Sequence, residues 1–117
     1  MQTHEKKILK IIDVLYTYCK YIGGNDISIR CQCEREHHYT LTVRSNYSLD
    51  KRQYIANLEL KLNTPKNLAV EELYWQVMGI GSFEDDNDIY VVGSMVDTAE
   101  VTFDDPYFEL VVTRTHR

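Results

Sequence analysis

The chain has 117 residues, 44% hydrophobic and 26% charged, enough for one compact domain with its own core and too short for two ordinary ones. Its formal net charge of -5 has the wrong sign for a protein that binds nucleic acid mainly by neutralising phosphates. No apolar run approaches the ~18 residues of a membrane span. The opening residues MQTHEKKILK lack the basic start, apolar core and cleavage site of a secretory leader, so a soluble cytoplasmic protein is expected.

Three cysteines, Cys19, Cys31 and Cys33, form an odd and sparse set that predicts reduced thiols rather than a disulfide framework. Nine tyrosines are a compositional excess, and tyrosine combines an apolar body with a polar tip that suits association surfaces.

From residue 5 to 22, Ile8, Ile11, Ile12, Leu15, Cys19 and Ile22 recur at three- and four-residue steps, which predicts an amphipathic helix with Thr3 as N-cap and Gly23-Gly24 as terminator. A second stripe, Val14, Tyr18 and Tyr21, is the candidate for an interface on that helix. The period then changes to two. Ile27, Ile29, Cys31 and Cys33 alternate with Ser28, Arg30, Gln32 and Glu34, and Tyr39, Leu41 and Val43 alternate with Thr40, Thr42 and Arg44. Two antiparallel strands are expected, with Cys33 opposite Tyr39 or His37, because an odd register sum would bury threonines.

Residues 54 to 62 set propensity against pattern: Leu, Ala, Glu and Lys favour helix, but Ala56, Leu58, Leu60 and Leu62 alternate with Asn57, Glu59 and Lys61. The alternation predicts a strand here. Thr64-Pro65-Lys66-Asn67 breaks the chain, and a second helix is expected over 68–78. A strand follows from Asp88 to Val96 around Tyr90-Val91-Val92, bending at Gly93 and continuing through Phe103. Asp104-Asp105-Pro106 is a turn into a last strand, 107–115, with Phe108, Leu110 and Val112 inward.

The expected fold is thus a single α+β domain of order α-β-β-β-α-β-β: a five-stranded antiparallel sheet with two helices on one face. Its uncovered face would carry Ser28, Arg30, Gln32, Thr40, Thr42, Arg44, Asn57, Glu59 and Lys61. In element order it resembles the type III secretion chaperones, which are small, acidic and dimeric, and over its first two thirds a double-stranded-RNA-binding domain. The likeness is one of order, and no residue role is carried over from it. An RNA reading is opposed by Glu71 and Glu72, which would open the second helix where a phosphate backbone should sit.

Gly79-Ile80-Gly81 follows a helix and lacks the third glycine of a dinucleotide fingerprint and the Gly-Lys-Ser/Thr of a P-loop. These glycines read as a helix terminator. The acids Glu84, Asp85, Asp86 and Asp88 lack the spacing of a calcium loop and read as a solvated turn or a surface for a basic partner. Cys31, Cys33 and His37 are the one constellation with metal-ligand chemistry, two thiols on one strand face with an imidazole near them. No nucleophile motif occurs. The expectation is a non-catalytic protein-interaction module without a cofactor, an adaptor, chaperone-like protein or inhibitor, homodimeric or bound to a protein partner. Its alternative is a small-ligand- or metal-binding domain, or a degenerate enzyme, using the cysteine hairpin or the turn from Gly79 to Asp88.

Overall fold

The computed structural model describes residues 3–34, 38–63 and 87–115. Helix α1 spans Thr3–Tyr21, strands β1 and β2 span Ile27–Glu34 and His38–Asn46, and a single 3-10 turn, Leu49–Lys51, leads into α2, Arg52–Leu62. Helix α3, Asn87–Met95, precedes β3, Thr98–Asp104, and β4, Tyr107–Thr115. The four described strands form one antiparallel sheet in the order β1-β2-β4-β3.

Helix α1 ends as the glycine pair predicts. Gly23 takes φ +92°, its N–H donates to Lys20 O at 3.1 Å, and Gly24 N–H donates to Cys19 O at 2.8 Å. These are the two bonds of a Schellman cap, and they turn the chain back beneath the helix into β1. Ile8, Ile11, Leu15, Cys19 and Ile22 are buried as expected, and Val14 and Tyr18 are buried with them.

The register between β1 and β2 places Cys33 opposite Tyr39, Cys31 opposite Leu41 and Ile29 opposite Val43. This is the first of the two even registers expected. Leu41 and Val43 of β2 and Phe108, Leu110 and Val112 of β4 then share the face that the helices cover. Helix α1 lies across β1 and β2, α2 lies over β3, and α3 packs between the two helices.

One expected strand, and the first part of another, are helical. Residues 54 to 62 belong to α2, where Ile55, Leu58 and Leu62 are buried at helical spacing while Leu60 stands 76% exposed. Helix propensity wins because Ile55, not Leu60, supplies the third apolar contact. Asn57, Glu59 and Lys61 therefore lie on a helix and not on the open sheet face. Residues 87 to 95 form α3 because the helix is inserted between two others: Ile89, Val91, Val92, Gly93, Ser94 and Met95 are all buried, so no polar face marks the helical period. The strand expected to begin at Asp88 begins at Thr98. The expected helix over 68–78 lies outside the described residues.

The open sheet face carries Ser28, Arg30, Gln32, Thr40, Thr42 and Arg44 as expected, continued by Glu109, Val111 and Thr113 of β4 and Glu100 and Thr102 of β3. Among the described residues, no helix is long and apolar enough to cross a membrane.

Candidate functional site: the two edges of the described sheet

An edge strand exposes a row of backbone donors and acceptors that can pair with another chain. At β3 this row is capped by side chains from α2. Asn63 accepts from Ala99 N–H through Oδ1 at 3.1 Å and donates to Ala99 O through Nδ2 at 2.9 Å, and Glu59 Oε2 accepts from Val101 N–H at 2.7 Å. Asn63 Nδ2 also donates to Glu59 O at 2.8 Å, which ties the cap to the end of the helix.

Strand β1, the other edge, has no such cap among the described residues. Asn46 N–H donates to Asp26 O at 3.4 Å, which makes Asp26 and Asn46 a hydrogen-bonded pair. By the alternation of an antiparallel ladder, Ser28 and Arg30 turn their backbone groups toward β2, while Ile27, Ile29 and Cys31 turn theirs outward. The start of the strand is held firmly. Asn46 Oδ1 accepts from the N–H groups of Asn25 and Asp26 at 2.9 and 3.0 Å, and Tyr107 Oη donates to Asp26 at 2.6 Å.

Above this edge runs an apolar flank of α1. Leu9, Ile12 and Tyr16 recur at helical spacing, with Leu9 49% and Tyr16 47% exposed. Below Leu9 and Ile12 lies a groove of about 330 Å³, lined by Glu5, Ile8, Leu9 and Ile12 of α1, Cys31 of β1 and Tyr39 of β2. Desolvation raises the pKa of the Tyr39 hydroxyl, and Cys33, which hydrogen-bonds it, and the carboxylate of Glu5 add to the rise. Burial and the neighbouring Cys33 likewise push the Cys31 thiol up. Tyr39 and Cys31 are therefore held in their neutral forms, the reverse of what an activated nucleophile or base needs.

The residues singled out from the sequence fall in different places. Val14 and Tyr18 sit in the core and only Tyr21 reaches the surface, where its ring meets that of Tyr54 edge-on at 5.8 Å beneath Lys51. Cys31 and Cys33 share one side of β1, with Cys31 lining the groove, but His37 lies outside the described residues. The adjacent His38 is opposite Glu34 on the other face, its Nδ1 2.9 Å from Thr115 Oγ1. Among the described residues, no three potential ligands come together. Gly79 to Gly81 and Glu84, Asp85 and Asp86 lie outside the described residues, and Asp88 falls in α3. Asp104 and Asp105 are engaged at the β3–β4 turn, by Arg44 at 3.3 Å and by Tyr47 and Arg52.

Leu9, Tyr16, Glu59 and Asn63 belong to no functional motif in the sequence. The spacing of Leu9, Ile12 and Tyr16 carries a weak signal, a narrow apolar stripe on the charged side of the helix. The capping roles of Glu59 and Asn63 carry none, because they depend on where α2 docks.

Cys19 is set apart from the other two thiols. Burial pushes it up to about 11 from its ordinary 9.0, outweighing a hydrogen bond with Ser45 that acts in the opposite sense. The neutral thiol is favoured in the fold, so this contribution to stability is complete below pH 9 and is lost as pH climbs toward 11. The raised tyrosines Tyr39, Tyr47 and Tyr107 act in the same direction. The urea midpoint should fall over that alkaline range, and fall less in Cys19→Ala. Disulfide-exchange reagents should modify the exposed Cys31 and Cys33 well before Cys19, which is buried and should react only at the rate of unfolding.

Comparison with known protein families, with curated proteins and with solved structures finds no match.

Proposed function

We propose that the chain is a non-catalytic protein-interaction module, an adaptor or chaperone-like protein of the cytoplasm, whose binding element is the edge of β1 together with the flank of α1 above it. The observation that carries this reading is the asymmetry of the sheet: the β3 edge is capped by Glu59 and Asn63, whereas the β1 edge turns outward the backbone groups of Ile27, Ile29 and Cys31 beside an apolar groove. A strand that docks along β1 gains main-chain hydrogen bonds from the edge, and its side chains meet Leu9, Ile12 and Tyr16. Main-chain pairing supplies affinity and the helix flank supplies selectivity. The thiol of Cys31 contributes surface to the groove rather than chemistry.

The test is site-specific photo-cross-linking in the source cell, with the probe at Leu9 or Tyr16 and, as control, at Leu60 on the opposite flank. Protein adducts from the first two positions and none from Leu60 are expected. Absence of any protein adduct at Leu9 and Tyr16 would remove the reading. Native mass spectrometry of untagged protein purified without chelator addresses the rival: a stoichiometric zinc or small-molecule mass would move the function to the Cys31 and Cys33 hairpin.

A further inference from the structure

We infer that the strand received by the β1 edge is β1 of a second copy of this chain, paired antiparallel about a two-fold axis through Ser28. The inference rests on the interaction-module reading and names its partner. In a two-fold pairing centred on Ser28, residue numbers on opposing strands sum to 56, so Arg30 faces the partner's Asp26 and Ile27 faces the partner's Ile29, each pair occurring twice. The edge is complementary to itself. Asp26 lies on the open sheet face, as its bond from Tyr107 shows, and Arg30 lies four residues further along the strand on the same face, exposed and without an ion pair among the described residues. Ile27 and Ile29 lie on the helix side, half-buried, where a second pair of isoleucines would complete their cover. Outward backbone groups at Ile27 and Ile29 are in phase to hydrogen-bond each other across that axis.

The helices fit this arrangement. Helix α1 lies over both β1 and β2. Strands in a sheet are ~4.8 Å apart, so a helix above the seam of β1 and β2 stands about one strand spacing from an axis located half a spacing beyond β1. The two copies of α1 would then run side by side ~9.6 Å apart, inside the ~8–10 Å range of packed helices. Their facing sides are the flanks that carry Leu9, Ile12 and Tyr16. The capped β3 edges lie at the two far ends of the resulting continuous sheet, so assembly closes at a dimer rather than growing into a filament.

Charge selects the register rather than supplying most of the affinity. An axis through Arg30 would set Arg30 against the partner's Arg30 and is disfavoured. An axis through Gln32 would pair Arg30 with the partner's Glu34 but would leave Ile27 and Ile29 without apolar partners, and it is the competing register.

Analytical ultracentrifugation of the purified chain should show a dimer. Arg30→Glu places like charges opposite each other twice and should weaken self-association by about 10- to 100-fold, with an unchanged circular dichroism spectrum. Asp26→Lys should do the same, and an equimolar mixture of the two variants should recover dimerisation as a heterodimer, because both of its cross-strand pairs are again of opposite sign. Tyr107→Phe, which removes only the bond to Asp26, should remain dimeric and controls for local damage. A monomeric wild-type chain at the highest soluble concentration would overturn the inference, and recovery of Arg30→Glu by Glu34→Lys instead of Asp26→Lys would overturn its register. The cross-linking at Leu9 and Tyr16 separates the two readings: adducts at twice the chain mass support the self-paired edge. Adducts of any other mass, without dimers, would refute the self-pairing and leave the module, whereas no adduct would refute both.

Discussion

Tyr18→Asp should leave no folded protein, while Tyr21→Asp, three residues further along the same helix, should fold with nearly wild-type stability. Tyr18 is 6% exposed and packed into the hydrophobic core, whereas Tyr21 is 45% exposed. Truncating a buried aromatic side chain costs about 3–5 kcal/mol. A carboxylate left in that space adds a desolvation penalty of several kcal/mol, or takes up a proton at a comparable cost. The sum rivals the whole ~5–15 kcal/mol by which a domain of this kind is stable. Tyr21→Asp instead loses an exposed edge contact with Tyr54 and the cation above both rings, a change of about 1 kcal/mol. Far-ultraviolet circular dichroism and a urea titration distinguish the outcomes, and a cooperatively folded Tyr18→Asp protein would contradict the placement of that side chain in the core.

Gly93→Val should destabilise the chain by about 3 kcal/mol, with Gly93→Ala intermediate. A Cβ at position 93 would meet Lys61 O at 2.9 Å, Leu62 O at 3.1 Å and Leu62 Cα at 3.2 Å, all of them backbone atoms of α2. Backbone cannot rotate out of the way as a flexible side chain can, so α2 and α3 must separate. The consequence reaches the sheet edge, because the end of α2 holds Glu59 and Asn63 against Ala99 and Val101. Hydrogen exchange should accelerate at the Ala99 and Val101 amides in Gly93→Ala, more than at amides in the middle of β2 and β4. Should those two amides stay as protected as in the wild type, the edge cap would not depend on the contact between α2 and α3. A loosened cap would expose the β3 edge, so the glycine variants should also aggregate more readily than their loss of stability alone explains.

Alternation at strand period placed β1, β2 and β4 and the sides on which Ile29, Leu41, Val43, Phe108 and Leu110 lie, because a half-buried strand writes its burial directly into every second residue. The three- and four-residue spacing placed α1, and the paired glycines placed its end. Helices α2 and α3 resemble strands in sequence for opposite reasons. In α2 an exposed leucine, Leu60, mimics an alternating strand, and only docking on β3 and α3 shows that Ile55, Leu58 and Leu62 are the apolar face. In α3 burial on every side removes the polar half of the pattern on which a helical period depends.

The candidate site divides in the same way. Arg30, Asp26, Leu9 and Tyr16 are fixed in identity and spacing by the chain itself, and so is their capacity for charge pairing and apolar contact. Which edge is capped was decided only when the fold brought together segments distant in sequence: residues 59 and 63 reach 101 and 99 to cap β3, while β1 is the opposite border of the described sheet, with α1 above it. Local sequence carries periodicity because side-chain direction follows from backbone geometry within a few residues. Edge exposure depends on long-range pairing, and becomes defined only once the strands are ordered and the helices have docked.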